Sequence, residues 1–345
     1  MKKTAEAVSL GHPDKICDYI SSYILDRMLE QDPTVHYAVE VMIKENTVVL
    51  GGEISGCTSL LKLKNHIKQA LSEIGYTSEY AARWGENTIQ PDKLKIINLI
   101  GPQSCEISQG ICRHGRSDQD GWGDQHGWGD QGVFVGYACQ GEGNNSKEQF
   151  LARRLNSALY HKAKNSKILG LDIKTQITLD SKGKVETAIA AIPMLKTTDL
   201  TDFIIETLGE TPKNLIVNGT GTYKCHASIA DCGVTGRKLA CDFYSVSSPI
   251  GGGSPWTKDA SKADLTLNLY ARYLACRNLK DNDECFVYLS SCIGQSELPS
   301  AALKTIKDGK ISTQNLKITQ TPNEIIDLLG LNKPVFAKLC REGLI

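Results

Sequence analysis

The sequence predicts an α+β fold, because apolar residues recur at helical spacing in some stretches and alternate at strand spacing in others. Both patterns occur in each third of the chain in similar proportion, which favours an internal structural repeat. The 345 residues are 41% hydrophobic and 23% charged, an ordinary composition for a protein that buries a large core without disulfides.

The first segment begins with a helix over 16–29, in which isoleucines recur four residues apart. Alternating apolar residues predict a strand over 36–43, and a second strand starts at 47 after a short turn. A helix then ends at Gly75, and a strand over 94–100 closes the segment.

The two later segments repeat this mixture. Their predicted elements are a helix over 150–163, strands over 173–179 and 185–192, a helix over 198–208, strands over 215–217 and 239–244, a helix over 261–279, a strand over 285–293, and a final helix from Thr321-Pro322 to Gly330.

A polar, glycine-rich stretch separates the first two segments, and the unit Gly-Trp-Gly-Asp-Gln occurs in it twice, at 121–125 and 127–131. A long loop inside a compact protein is usually functional, so a mobile lid is predicted. The resulting division is an N-terminal α+β repeat over 1–108, the lid loop over 109–132, a central repeat over 133–230 and a C-terminal repeat over 231–345.

The overall charge is balanced, with 39 basic and 39 acidic residues. This argues against a nucleic-acid coat or a binder of anionic membranes, since neither would gain a global electrostatic attraction. No apolar signal region and no 18-residue apolar run is visible, so we expect a cytoplasmic protein. The twelve cysteines include no Cys-x-x-Cys pair and are interpreted as reduced, mostly buried residues.

The stretch Gly11-His12-Pro13-Asp14-Lys15 lies just before the first helix. A helix N-terminus attracts anions, so His12 and Lys15 are candidates for contacting phosphate and Asp14 for binding a divalent cation. The alternative from the same residues is an ordinary helix cap made by Asp14.

Acids and bases meet again at two places in the middle of the chain. Asp172 and Lys174 share one face of a predicted strand, which also fits an ordinary surface ion pair. Asp231 precedes a loop with two glycines that ends in Arg237 and Lys238.

A glycine triplet at 251–253 is followed by Lys258, Lys262 and Asp264. Glycine lets the backbone approach a polyphosphate, lysine brings a point charge, and a carboxylate can hold Mg²⁺ against the same phosphates. A solvated helix face is the alternative. The signatures of P-loop and Rossmann nucleotide sites do not occur.

Taken in order, these motifs resemble those of the methionine adenosyltransferase (S-adenosylmethionine synthetase) family, from about Ala5 to Gly294. The similar stretches are His12–Lys15, Gly51-Gly52-Glu53, Gln103-Ser104, Gly129–Gly132, Asp172–Lys174, Asp231–Lys238, and Gly251–Gly253 with Lys258-Asp259 and Lys262. Each motif is weak alone, and their ordered combination is specific.

The resemblance implies a fold of three intertwined, similar α/β repeats, with two-layer sheets and helices. It implies synthesis of S-adenosylmethionine from ATP and L-methionine with release of phosphate and pyrophosphate. It also implies two Mg²⁺ per site, K⁺, and assembly as a homodimer or a dimer of dimers.

The resemblance also assigns roles to residues. The catalytic residues would be His12, Lys174, Lys238 and Lys258. ATP would be bound by these four together with Lys15, Asp130, Asp172, Thr222, Tyr223, Asp231, Arg237 and Ser254. Methionine would be bound by Glu53, Gln103, Asp231 and Lys262. Mg²⁺ would be bound by Asp14 and Asp264, and K⁺ by Glu40.

The chain departs from the family pattern at several positions. These are Asn218–Gly221, Ser245-Val246, Pro255-Trp256, the doubled lid unit in which Asp124 competes with Asp130, and a C-terminal end several tens of residues short of the typical one. Two alternatives to an active synthetase follow: a regulatory paralogue that binds ATP or polyphosphate, and an adenosyltransferase that acts on a methionine or nucleotide analogue.

Overall fold

The structure, a computed structural model, describes residues 2–55, 63–103 and 127–343. The strands are β1 (Lys3–Val8), β2 (Tyr37–Lys44), β3 (Thr47–Ile54), β4 (Lys95–Pro102), β5 (Gly132–Cys139), β6 (Lys174–Leu179), β7 (Val185–Ala191), β8 (Asn214–Val217), β9 (Gly233–Val234), β10 (Glu284–Ser291), β11 (Ser300–Lys307) and β12 (Lys310–Asn315).

The helices alternate with these strands along the chain. They are α1 (Pro13–Leu29), α2 (Leu63–Ile74), α3 (Ser78–Trp84), α4 (Lys147–Lys164), α5 (Thr201–Leu208), α6 (Ala227–Ala230), α7 (Leu239–Asp242), α8 (Ala263–Leu279), α9 (Pro322–Leu329) and α10 (Phe336–Glu342).

The strands form three four-stranded sheets, in the orders β1-β6-β7-β8, β4-β3-β2-β9 and β12-β11-β10-β5. Each sheet contains a hairpin whose first strand also pairs antiparallel with a strand from another part of the chain. These borrowed strands are β1, β9 and β5. The α+β fold of three intertwined repeats is therefore confirmed.

The exchange of strands means that the sheets do not coincide with the contiguous segments 1–108, 133–230 and 231–345. β1 belongs to the first segment by sequence and pairs with β6 of the central segment. β5 lies almost wholly in the central segment and pairs with β10 of the last. Residues 109–126 of the predicted lid lie outside the described residues.

Most predicted elements occur within about three residues of their expected bounds, but one was wrong. The stretch 239–244, predicted as a strand, contains the short helix α7. The carbonyl groups of Cys241 and Phe243 accept hydrogen bonds from the Arg153 guanidinium instead of from a neighbouring strand. Eight elements were not predicted: β1, β5, β9, β11, β12, α3, α6 and α10.

Most buried apolar side chains lie between the sheets and the helices, and α1, α4 and α8 each pack on one sheet. The cysteines among the described residues are all free. Within the described ranges, no helix combines the length and the apolar character needed to cross a membrane.

α10 is anchored to α1 by a single carboxylate. The two oxygens of Asp26 accept hydrogen bonds from the Phe336 and Ala337 amides, each at 2.9 Å. Burial raises the pKa of Asp26 to about 6, against the effect of these two bonds. The first turn of α10 is thus capped by a residue more than 300 positions away in sequence.

Replacing Asp26 with alanine should lower the free energy of unfolding by about 1–3 kcal/mol, because two buried amides lose their acceptor. Urea unfolding at pH 7 would measure this effect. Asp281→Ala, at an exposed position after α8, is the matched control. A loss for Asp26→Ala no larger than that of the control would contradict the anchoring role.

Candidate active site

The N-terminus of α1 forms the first part of the site. His12 is the helix N-cap, and its Nδ1 accepts a hydrogen bond from the Asp14 amide at 3.2 Å. The Asp14 carboxylate accepts one hydrogen bond from the Val234 amide at 2.9 Å and one from Lys238 Nζ at 2.6 Å. Both His12 and Asp14 are buried, so these contacts hold the two side chains in fixed orientations.

Close backbone approach makes this arrangement possible. A Cβ on Gly233 would lie 2.2 Å from the Pro13 carbonyl oxygen, so the strand that leads to Lys238 can reach α1 only with glycine there. The structure shows that Gly233 brings Lys238 to Asp14.

The charges around His12 decide its protonation state. Burial, together with the nearby Lys238 and Lys174, lowers the pKa of His12 to about 3, although Asp14 acts to raise it. The imidazole is therefore neutral at neutral pH. Because Nδ1 accepts the Asp14 amide, the ring proton resides on Nε2, which is available as a donor.

The Asp14 carboxylate stays ionised beside this neutral ring. Burial alone would raise its pKa, but the hydrogen bonds from Lys238 and from the Val234 amide outweigh burial and lower the pKa below its ordinary value. A buried anion with one lysine partner is thus present at the start of α1.

Asp172 lies next to this group. One of its oxygens accepts the Ala227 amide at 2.9 Å, and burial raises its pKa to about 6. The charge of Lys174 lowers that pKa, and the charge of Asp231 raises it. The charge of Asp172, together with burial, also raises the pKa of Tyr223.

We call this group the first half-site. It consists of His12, Asp14, Lys174 and Lys238, with the adjoining Asp172, Tyr223, Asp231 and Arg237. The Arg237 side chain is exposed, and its Nε lies 3.8 Å from an Asp14 oxygen.

A second group repeats the same geometry on α8. The Asp264 carboxylate accepts the Gly253 amide at 2.8 Å and is paired with the Lys258 ammonium. Asp14 and Asp264 are each the second residue of a 17-residue helix. Each acid thus combines one lysine and one main-chain amide. We call Gly253, Lys258, Lys262 and Asp264 the second half-site.

Asp259 supports the second half-site, and sequence reasoning gave it no role. It is fully buried and accepts the Tyr37 amide at 2.6 Å, the Ser261 amide at 2.8 Å and Lys262 Nζ at 3.2 Å. Burial opposes its charge, but Lys262 and His36 hold its pKa well below the ordinary value. The sequence did contain a pointer to Asp259, because Lys258-Asp259 is one of the stretches that resemble the methionine adenosyltransferase family.

Both half-sites are attached to β2, along the edge that pairs with β9. Val234 pairs with Met42, whereas Lys258 forms a bridge with Ala38, four residues away along the strand. At about 3.3 Å per residue, that separation is about 13 Å. Glu40 lies between the two points and accepts hydrogen bonds from the hydroxyls of Thr235 and Thr257.

Two of the four predicted methionine residues, Glu53 and Gln103, lie near the C-terminal end of β3. Glu53 is opposite Ala38 on the neighbouring strand, and the Gln103 amide donates to the Ile54 carbonyl at 3.2 Å. The Gln103 Oε1 atom is buried and has no hydrogen-bond partner within the described part of the chain. Such an acceptor can receive a donor from a ligand.

The Lys15 ammonium is paired with two carboxylates, and its contact with phosphate stays a prediction. Its Nζ is 2.6 Å from Asp242 and 3.2 Å from Asp18, and it lies over the Trp256 ring. Burial opposes its charge, but these carboxylates raise its pKa. Trp256, one of the departures from the family pattern, donates to the same Asp242 oxygen at 2.8 Å.

Three further predicted ATP residues, Asp130, Thr222 and Ser254, make contacts with other parts of the chain. Asp130 is exposed, and its carbonyl accepts Ser291 Oγ at 2.8 Å. Thr222 shares a hydrogen bond with Thr197 at 2.8 Å. Ser254 caps the turn Pro255–Thr257 and lies against Gly236 of the first half-site. Their roles in binding ATP stay predictions.

The fold and these half-sites define a class: three-sheet α+β proteins with paired lysine–aspartate units at helix N-termini. The family model of the S-adenosylmethionine synthetase N-terminal domain matches residues 1–105, and that of the C-terminal domain matches residues 225–345. Together they cover more than half of the chain. The chain belongs to the S-adenosylmethionine synthetase family.

The second match reaches residue 345, well past Gly294, where the motif resemblance ended. Among solved structures, the chain is similar to an unusual S-adenosylmethionine synthetase from Campylobacter jejuni, with a TM-score of 0.83 and 28% sequence identity. That comparison covers 100% of this chain and 94% of the other.

Proposed function

We propose that this protein synthesises S-adenosylmethionine from ATP and L-methionine. The observation that carries the proposal is the repeated unit of carboxylate, lysine and main-chain amide at Asp14 and Asp264, together with a neutral, oriented His12. Family membership supports the substrates ATP and methionine.

The proposed reaction needs charge stabilisation and no general base. The methionine sulfur carries no proton and attacks C5′ of ATP, so the carbon–oxygen bond breaks and triphosphate leaves with the bonding electrons. His12 would donate its Nε2 proton in a hydrogen bond to the leaving oxygen. Lys174, Lys238 and Lys258 would hold the triphosphate, which is then hydrolysed to phosphate and pyrophosphate.

The carboxylates suit the cations that the family implies. Mg²⁺ is commonly held by one or two carboxylates together with substrate phosphates, and it supplies positive charge to those phosphates when bound. Asp14 and Asp264 would each hold one Mg²⁺. Among residues 2–55, 63–103 and 127–343, no group of three His, Cys, Asp or Glu side chains that could hold a metal ion occurs, which fits ions that depend on phosphate oxygens.

Glu40 would bind K⁺. Its carboxylate and the hydroxyls of Thr235 and Thr257 present oxygen atoms, the ligand type that a hard monovalent cation requires. Their place between the two half-sites would put K⁺ near the substrates without direct contact with the reacting atoms.

The separation of the half-sites supports assembly as a homodimer or a dimer of dimers. Glu40 and Glu53 lie on a sheet face that also presents Ile97 and Leu99, which are 47% and 66% exposed. Packing two such faces together would bury these apolar residues. It would also allow the first half-site of one subunit to meet the second half-site of its partner.

The direct test is to incubate the purified protein with ATP, L-methionine, Mg²⁺ and K⁺ and to identify the products by mass spectrometry. We expect S-adenosylmethionine and phosphate. A folded protein that binds ATP without forming product would instead be a regulatory paralogue. Product from a methionine or nucleotide analogue alone would identify the second alternative.

Lys238→Met should reduce S-adenosylmethionine formation by about 10²–10³-fold, because the triphosphate loses one preorganised cation. The change also leaves Asp14 without its lysine, so circular dichroism must show that the variant is folded. Lys310→Met, on the exposed strand β12, is the control and should retain activity. Equal rates for the two variants would remove Lys238 from the mechanism.

A further inference from the structure

A cavity of about 600 Å³ lies between α4, α10 and the end of β1. Of the predicted site residues, only Lys15 lines it. One wall is a face of α4, where Arg153, Ser157, Tyr160 and Lys164 follow each other at intervals of three or four residues. The opposite wall is formed by residues 340–343, which are the last residues of α10 and the glycine that follows it.

The cavity combines cationic side chains with an apolar surface. Arg153, Lys164 and Arg341 lie on its walls. Burial and then the charge of Arg341 lower the pKa of Lys164, whereas Glu73 raises it. The Lys164 ammonium donates to the main-chain carbonyl of Glu73 at 2.8 Å. The apolar lining comes from Ala7, Val8, Leu10, Cys241 and Cys340.

The carboxylates of the lining offset only part of this charge, because Glu73, Asp242 and Glu342 stand against four cations, Lys15, Arg153, Lys164 and Arg341. Glu73 is engaged by Arg341 at 3.2 Å, and Asp242 by Lys15 at 2.6 Å. Glu342 lies 4.0 Å from Lys338, a lysine that does not line the cavity. A concave apolar site with a few convergent polar groups is the usual form of a small-molecule site.

We propose that this cavity binds a small organic anion, with one or two negative charges on an apolar or aromatic body. The anionic group would contact Lys164 and Arg341, and the body would lie against the Tyr160 ring and the aliphatic residues of β1. Neither half-site contributes a side chain to this cavity, so the proposal is independent of the proposed function.

The floor of the cavity is connected to the first half-site. Lys15 and Asp242 form the floor, and Lys15 also pairs with Asp18. Asp18 accepts the Gly236 amide at 2.8 Å, which holds the loop that carries Lys238. A bound anion would therefore lie next to the network that positions this loop, a place suited to an effector.

The test is a fluorescence titration of the full chain with 8-anilinonaphthalene-1-sulfonate, an aromatic anion, in the presence of a non-hydrolysable ATP analogue and Mg²⁺. The analogue keeps the probe out of the nucleotide site. We expect saturable binding of one probe per chain. The inhibition constant of inorganic phosphate, measured by displacement of the probe, should be at least tenfold higher than the dissociation constant of the probe, because phosphate lacks an apolar body.

Two variants locate the probe. Lys164→Glu reverses a wall charge, and Ser157→Trp fills the cavity from an exposed position on α4. Each should raise the probe's dissociation constant at least tenfold. Lys162→Glu is the matched control on the same helix, because that lysine lies over the Phe203 ring outside the cavity, and it should change the constant less than twofold.

The absence of saturable binding would overturn the proposal. Equal effects of Lys164→Glu and Lys162→Glu would also overturn it, as would unchanged binding by Ser157→Trp. An inhibition constant of phosphate equal to the dissociation constant of the probe would show that the apolar body adds nothing to binding, which would exclude an organic ligand. None of these outcomes depends on enzymatic activity. A failure of the proposed synthetase reaction would be detected in the separate activity assay.

Discussion

His12→Ala should lower the rate constant for S-adenosylmethionine formation by about 10²–10³-fold, the usual effect of removing one preorganised donor. The dissociation constant for ATP should change by only a few-fold. The reason lies in timing, because a hydrogen bond to the leaving oxygen strengthens only as charge develops there in the transition state. Single-turnover kinetics and calorimetric titration with an ATP analogue would separate the two effects.

His12→Asn is the informative partner of the alanine variant. Asparagine is also a good helix N-cap, and its side-chain amide can donate a hydrogen bond, so it should retain more activity than alanine. His66→Ala, a half-buried histidine on α2, controls for the general loss of an imidazole. Equal losses of turnover and ATP binding in His12→Ala would contradict the leaving-group role.

The pH dependence gives a second check on His12. Burial and the neighbouring lysines hold its pKa at about 3, so the imidazole stays neutral from pH 6 to 9. The pH profile of wild-type turnover should therefore show no loss of activity with a pKa near 6.5 that is due to His12. The profiles of the wild type and His12→Asn should have the same shape in this range. Such a loss, present in the wild type and absent from His12→Asn, would mean that His12 titrates there and works as a charged group.

Asp259→Ala should lower the free energy of unfolding by about 3–5 kcal/mol, the cost of removing one member of a buried ion pair. Two backbone amides, those of Tyr37 and Ser261, would also lose their acceptor. Urea unfolding at pH 7 measures the change. Asp202→Ala, on the exposed side of α5, should cost less than about 0.5 kcal/mol.

The sign of the pH dependence follows from the direction of the pKa shift. Lys262 and His36 lower the pKa of Asp259 below its ordinary value of 3.8, so the charged carboxylate stabilises the folded state. This stabilisation is complete above the unfolded pKa and is lost as the pH falls toward the lower folded pKa. The difference between the wild type and Asp259→Asn should therefore shrink below pH 3.8.

Asp259 also links stability to the proposed site, because it orients Lys262. In a folded Asp259→Asn variant, the KM for methionine should rise more than that for ATP, since Lys262 is the proposed methionine ligand. An unchanged methionine KM with lowered stability would limit Asp259 to a structural role.

Local patterns predicted most of the secondary structure. α1, β2, β3 and α4 carry strong periodicity, and their observed bounds differ from the predicted ones by three residues or fewer. The failure at 239–244 has a tertiary cause, because Arg153 and Lys15 hold this stretch as a helix. β12 was missed because it is a fully exposed edge strand without an apolar face.

The sequence by itself determined the α+β class, the family resemblance and the chemical types at the site, because spacing and residue type are local properties. Only the tertiary structure decided which charges meet. Asp14 and Lys238 are 224 residues apart, and their pairing depends on a borrowed strand that approaches α1 at Gly233. The structure likewise showed that Lys15 faces a separate cavity and that Asp259 holds Lys262. Such contacts depend on burial and on long-range pairing, which no local pattern encodes.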